Sequence, residues 1–213
     1  LERIPRVGSV VLDAMGVLYQ VGDDVHDLLI PYVRRKGCRT SNAGIEEIYA
    51  SCILGHFSST ELWRQIGVPG DTNDIEQEYL SLHRTNPGLH VFLQRLQQLH
   101  IQILCLSNDV KEWSVKLRRM HNLEPYFSSW VISGDVGARK PDPEIYKMLG
   151  KVLKGLPQES LFIDDNARNL PPAKQVGLIP VLFAGPMKMA SPDEWPIASS
   201  FKEVEGWILR SNA

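Results

Sequence analysis

Five short apolar runs, at residues 9–12, 101–106, 130–133, 161–163 and 179–183, most constrain what this chain can fold into. Each is rich in Val, Ile or Leu and lacks a regular polar alternation, the pattern of a strand buried on both faces of a parallel sheet. Amphipathic segments separate the later runs. Asn86 and Pro87 read as cap and first-turn residues of a helix whose apolar stripe is Leu89, Phe92, Leu93, Leu96 and Leu99. Asp142 and Pro143 open another, with Ile145, Met148, Leu149 and Val152 facing inward. Residues 167–176 form a third, where Pro171 and Pro172 predict a late or broken start. Phe201, Val204 and Ile208 mark a last helix. Strand and helix alternating in this order predict an α/β fold, a Rossmann-like, doubly wound parallel sheet.

Between the first and second runs the pattern changes. Val25, Leu28, Leu29, Tyr32 and Val33 make one helical stripe, ended by Gly37, and Ile45, Ile48, Tyr49 and Cys52 make a second. Ser58 and Glu61 form a capping box ahead of Leu62 and Ile66, with Gly67 as the stop. Ile75, Tyr79 and Leu82 make a fourth, weaker stripe. Four helices with no strand between them predict an inserted all-α cap at 19–85, carried by an α/β core at 1–18 and 86–213.

A chain of 213 residues has room for one such core and its insert. A formal net charge of −2, with no long block of either sign, argues against nucleic acid and against an anionic membrane surface. No apolar run approaches membrane-spanning length. Cys38, Cys52 and Cys105 are odd in number and lack CxxC spacing, which reads as reduced thiols in a cytoplasmic protein. The start at Leu1 reads as a processed or trimmed N-terminus. Oligomeric state is left open.

In open α/β sheets, ligands gather at the carboxyl ends of the strands. Those ends carry Asp13 in VVLDAMGVL, Ser107 in ILCLSND, Lys140 in GARKPDP, and Asp164 with Asp165 in LFIDDN. A carboxylate, a hydroxyl, a cation and a carboxylate pair converging from four segments suit phosphoryl transfer. A carboxylate can act as nucleophile through an acyl-phosphate. Mg²⁺ held by carboxylates neutralises charge between nucleophile and phosphate. Ser, Lys and the backbone N–H groups opening the helix after Asn108 can hold phosphoryl oxygens. Each residue alone is more often a turn, a cap or a solvated charge. The four together, in this order, carry the argument, and the Asp164–Asp165 pair is its strongest part because adjacent carboxylates repel without compensation.

With those motifs in place the chain resembles the haloacid dehalogenase-like hydrolase superfamily. LDAMGVL is similar to its first motif, LSN to its second, KPDPEIY to its third and FIDDNARNL to its fourth, over nearly the whole chain. The helical insert resembles the cap of the subfamily holding small-metabolite phosphatases, haloacid dehalogenases and the N-terminal phosphatase of soluble epoxide hydrolase. The resemblance implies a small phosphorylated metabolite as substrate and Mg²⁺ as cofactor. It implies Asp13 as nucleophile, and Asp13, the Met15 carbonyl and Asp165 as metal ligands, with Asp164 secondary. It implies Ser107 and Lys140 as phosphate-binding residues, with Asn108 beside them.

One position departs from the pattern. The family's phosphatases carry a second aspartate two residues after the nucleophile, where it protonates the leaving alcohol and later activates water. Met15 stands there, and a thioether exchanges no proton at neutral pH, so general acid–base help of roughly 10²–10⁴-fold is missing. Three readings compete: a Mg²⁺-dependent phosphohydrolase, slow or supplied with a proton by another group or by the substrate; a non-catalytic relative that binds a phosphorylated ligand or partner protein; and a 2-haloacid dehalogenase. The dehalogenases need no metal and lack the acidic pair, which argues against the third. Lys36, the one lysine of the insert, reads as a solvated helix end rather than a Schiff-base residue. The six histidines show no metal-ligand spacing, and most of them read as surface or partly buried. Tyr19, Gln20 and Trp63 are candidates to line the pocket, Trp63 reading more readily as core, and Gly16 and Gly22 flank the crossing into the insert as hinge or turn.

Overall fold

The computed structural model describes residues 6–154, 157–184 and 195–212. Six parallel strands, β1 (Ser9–Leu12), β2 (Gln102–Ser107), β3 (Ser129–Ile132), β4 (Ser160–Asp164), β5 (Ile179–Phe183) and β6 (Ile197–Ala198), form one sheet in the order β3-β2-β1-β4-β5-β6. The strand order reverses at β1, which sits between β2 and β4. Register places the strand ends together: Leu12 lies opposite both Cys105 and Ile163, so Asp13, Ser107 and Asp164 emerge at one carboxyl edge.

Successive strand residues point to opposite faces, and the core divides accordingly. Val10, Leu12, Ile103, Cys105, Leu161 and Ile163 join one buried apolar cluster, while Val11, Leu104, Leu106 and Phe162 join another. The first face is covered by α5 (Leu89–Gln98), α6 (Lys111–Met120) and α10 (Phe201–Ser211), whose Leu93, Leu117 and Ile208 share its cluster. The second is covered by α8 (Pro143–Val152) and α9 (Leu170–Gln175) through Ile145, Leu149, Leu170 and Ala173. The doubly wound α/β expectation holds.

Between β1 and α5 the chain runs through a π-helical turn (Asp24–Leu29) into α1 (Ile30–Arg35), then α2 (Asn42–Cys52), α3 (Ser59–Ile66) and α4 (Thr72–Leu80). Their caps obey the sequence signals. Ser58 Oγ accepts the Glu61 N–H, and Gly67 closes α3 in the left-handed region at φ 75°. The apolar faces of these helices merge with the first sheet cluster through Leu29, Ile45, Trp63 and Tyr79.

Several details differ from expectation. A four-residue helix, α7 (Ser133–Val136), succeeds β3, and the two-residue β6 extends the sheet; both are too short for a periodic signal. The expected late or broken start of the helix over 167–176 does occur: Ala167–Asn169 is a 3-10 turn and α9 begins at Leu170, with Pro171 and Pro172 in its first turn, where a missing N–H costs no helical bond. Asn86 does not cap α5. Gly88 takes the cap position at φ 81°, and the Asn86 side-chain amide donates to the carbonyls of Gly16, Val17 and Tyr19, tying the exit of the insert to its entry.

Candidate active site

Asp13 comes directly after β1 with its N–H bonded to the Ile163 carbonyl at 2.9 Å, and Asp164 ends β4 beside it. Lys140, buried between α7 and α8, sends its Nζ to Asp13 Oδ1 at 2.8 Å and to Asp164 Oδ2 at 2.7 Å. The Lys140 peptide is fixed as firmly as its head. Asn108 Nδ2 donates to the Lys140 carbonyl at 2.9 Å, and the Lys140 N–H donates to Asn108 Oδ1 at 2.7 Å. Asn108, expected beside a phosphate, therefore spends both polar side-chain atoms on positioning the lysine.

The two adjacent aspartates differ as neighbouring strand-end residues should. Asp164 is fully buried and also accepts the Asn166 N–H at 2.8 Å and the Asn169 side-chain amide at 3.0 Å. Asp165 lines a cavity of about 850 Å³ that also contains Asp13, Met15, Asn108 and Lys140. A Cβ at Gly16 would lie 2.2 Å from Asp165 Cγ, so only glycine, here at φ 74°, lets Asp165 lie against the loop after β1. That close approach assigns Gly16 to the site's construction as well as to a turn.

Asp13, Asp164 and Asp165 each bring a carboxylate oxygen within 4.8 Å of the others, with one ammonium among them. Burial, and then the Asp164 charge, push the Asp13 carboxyl up to about 8, with Lys140 offsetting only part of the rise. Burial alone would lower Lys140, but Asp13 and Asp164 more than reverse it and keep the lysine charged. Among the described residues, this cluster brings three carboxylates to one ammonium. An all-oxygen donor set in which carboxylates outnumber cations fits a hard divalent ion such as Mg²⁺.

Ser107 closes β2 almost fully buried, with an Oγ that has no hydrogen-bond partner. It does not itself line the cavity, whereas Asn108 does. The helix beyond it, α6, opens only at Lys111. Met15 is buried at the cavity wall.

Across the cavity the insert contributes Gly22, Asp23, Asp24, Val25, Tyr49 and Ile53. The pocket candidates from sequence are not among them. Trp63 is core, its ring packed on Tyr32, Tyr79 and Trp113. Tyr19 is buried against His83 and His121, and Gln20 is exposed, bonded to the Thr85 carbonyl. Lys36 pairs with Glu78 at the surface, as a solvated helix end. His83 is the exception among the histidines, most of which are exposed or partly buried as expected: it is buried, with Nε2 3.0 Å from Asp24 Oδ1. The pair is 59 residues apart in sequence, and no local pattern announces it.

Comparison with known proteins agrees with this geometry. A family model described as haloacid dehalogenase-like hydrolase matches residues 8–177. Bifunctional epoxide hydrolase 2 of Rattus norvegicus is 35% identical over 75 residues, covering 35% of this chain and 14% of that protein. A phosphorylated carbohydrates phosphatase of Thermotoga maritima is 29% identical over 140 residues, covering 59% of this chain and 63% of that one. The chain thus spans less than two thirds of either relative. Among solved structures, a HAD phosphatase from Thermococcus onnurineus superposes with a TM-score of 0.73 at 18% identity, over 97% of this chain and 100% of that one. A HAD family enzyme from Bacteroides thetaiotaomicron gives 0.72 at 20% identity, over 84% and 94%.

Proposed function

Because the chain belongs to the haloacid dehalogenase-like hydrolases, we propose that it hydrolyses small phosphate monoesters in a Mg²⁺-dependent reaction through an aspartyl-phosphate on Asp13. The observation that carries this reading is the cluster of three carboxylates with the Lys140 ammonium between Asp13 and Asp164, next to a strand end whose buried serine hydroxyl has no partner among the described residues. Phosphatase relatives support the substrate class.

Asp13, the Met15 carbonyl and Asp165 would hold the ion, with Asp164 behind them, and the bound ion would supply charge neutralisation between nucleophile and phosphoryl oxygens. Asp164 spends its oxygens on Lys140, Asn166 and Asn169, which suits a supporting role. An Asp13 carboxylate oxygen bonds to phosphorus as the ester P–O bond breaks, and water then attacks the acyl-phosphate to release inorganic phosphate. Lys140, pinned by Asn108, holds the phosphoryl oxygens during both steps, and the Ser107 hydroxyl would join it only where a side-chain rotation turns it from the buried β2 end toward the cavity. Residues 19–85 act as the cap that encloses the leaving group. Three free, buried cysteines support a reducing, cytoplasmic setting, and among the described residues no helix is long and apolar enough to cross a membrane.

Met15 favours one rival, a non-catalytic binder of phosphorylated ligands. The acidic cluster disfavours a 2-haloacid dehalogenase, because it would repel the substrate carboxylate. A phosphatase panel with and without Mg²⁺ separates the three. Mg²⁺-dependent release of phosphate is expected. Phosphate-mimic binding without turnover would favour the binder, and metal-independent halide release from 2-chloropropionate would favour the dehalogenase.

A further inference from the structure

We propose that the leaving group this site accepts has an apolar body and no second anionic charge, as in the phosphate monoester of a medium-length aliphatic alcohol. The inference rests on the reading of the protein as a phosphatase and names the substrate class of that site.

The cavity of about 850 Å³ is far larger than a phosphoryl group needs, so most of it is room for the alcohol part of the ester. Two elements build the wall beyond the carboxylates. On α2, Tyr49 and the capping residue Ile53 are one turn apart and share a helix face. At the end of β5, Leu182 and Ala184 are two residues apart and point the same way, with Leu182 in register beside Asp164. These four residues are between 4% and 9% exposed, the remainder expected of side chains whose one open side is a cavity. Met15 and the half-buried Val25 add to the apolar lining. The wall is braced from behind, since the Tyr49 ring lies 6.1 Å between centroids from that of Trp113 on α6.

The polar side chains around the same cavity are already committed. Asn108 spends both polar atoms on the Lys140 peptide. Asn166 Oδ1 accepts the Arg168 N–H at 3.1 Å, and the Asn169 amide donates to Asp164 at 3.0 Å. Asp23 accepts the His26 N–H at 3.0 Å and lies 2.9 Å from the His26 ring, while Asp24 meets His83 at 3.0 Å. A polyol in this space would give up its hydrogen bonds to water for few in return, which disfavours its binding. An alkyl chain has none to give up, and its burial is favourable.

Charge selects in the same direction. Among the described residues Lys140 is the one cation lining the cavity, against Asp13, Asp23, Asp24 and Asp165, and its Nζ is shared between Asp13 and Asp164. The ion proposed at Asp13 and Asp165 would be occupied by the transferred phosphoryl group. A carboxylate or second phosphate on the leaving group would therefore face carboxylates with no described cation to pair with.

The test is kcat/KM with Mg²⁺ for n-alkyl phosphates from ethyl to hexyl, beside glycerol 3-phosphate, phosphoglycolate and p-nitrophenyl phosphate. Each added methylene should raise kcat/KM by about threefold, and hexyl phosphate should exceed glycerol 3-phosphate and phosphoglycolate by at least about tenfold. Ile53→Ala should lower the hexyl-to-ethyl ratio by about fivefold. Should that variant not fold, Val25→Lys sets a cation on the wall and should raise kcat/KM for phosphoglycolate by at least about tenfold. A flat or falling alkyl series, a preference for glycerol 3-phosphate or phosphoglycolate, an unchanged ratio in folded Ile53→Ala, or no gain in folded Val25→Lys overturns the inference, while turnover of p-nitrophenyl phosphate leaves the phosphatase reading standing. Phosphate release from none of the esters overturns the phosphatase reading, and calorimetric affinity for the same alkyl series then reads the wall by itself. Affinity that tightens with chain length upholds the apolar site, and a flat series overturns it.

Discussion

Two buried carboxylates in this molecule, Glu76 and Asp13, meet lysine in opposite ways. Glu76, on α4, accepts the indole N–H groups of Trp63 and Trp113 at 2.9 and 2.8 Å, and pairs with Lys116. Trp113 and Lys116 belong to α6 of the core and Trp63 to α3, so one carboxylate pins two insert helices to the sheet-covering helix. Burial alone would raise Glu76, but the bonds from Lys116 and the indoles outweigh it and hold the carboxyl below its usual value. At Asp13 the same burial wins, because the nearest lysine is shared with Asp164 and Asp165 adds its own charge. A charge matched by donors fastens the fold. A carboxyl raised by burial and by neighbouring carboxylates at a strand end is one that a bound cation would relieve, at some cost to the metal-free protein's stability.

That contrast can be broken in three ways, from the largest expected effect down. Glu76→Ala strands two indole donors and should destabilise folding by about 3–5 kcal/mol, the usual result of removing one partner from a buried charge network. Urea denaturation checks it, and a loss within the range of an ordinary surface substitution would mean Glu76 is not a fastener. Asp165→Asn should weaken Mg²⁺ affinity by at least about tenfold, a lower bound taken from losses at outer-sphere positions. Calorimetric titration reads it directly, and equal affinity in both proteins would remove Asp165 from the ligand set.

The third effect is a pair of opposite pH slopes in metal-free protein. Asp13 rises in the fold from 3.8 to about 8, so the folded state holds its proton more tightly than the unfolded chain, and the associated stability is lost as pH rises across that window. Glu76 falls below 4.5, so its contribution is present above that value and is lost as pH drops through the folded one. Asp13→Asn should flatten the fall in stability between pH 3.8 and about 8, and Glu76→Gln the fall below pH 4.5, both tracked by urea midpoints in chelator. Matching slopes in the two variants would contradict the contrast.

The site's core half was legible in the sequence, because parallel strands end where ligands gather: Asp13, Ser107, Asp164 and Asp165 sit just at or beyond an apolar run, and Lys140 lies in the KPDP loop further along after the third strand. Composition and periodicity could not give the insert half. Asp24 meets His83 across 59 residues, and Glu76 meets Trp113 across 37, contacts that exist only once the helices pack. Asn86 and Asn108 read locally as a helix cap and a phosphate neighbour. Both instead donate to distant or fixed backbone carbonyls, a use of asparagine that no short window reveals.

The central claim, that the carboxylate cluster around Asp13 serves covalent phosphoryl transfer, is tested most directly by acid-quenched mass spectrometry during turnover of p-nitrophenyl phosphate with Mg²⁺. The account predicts a phosphoryl group on the peptide containing Asp13, cleared by hydroxylamine and absent from Asp13→Asn, which should also lose hydrolysis by at least about 10³-fold. Hydrolysis that continues undiminished in Asp13→Asn would contradict it.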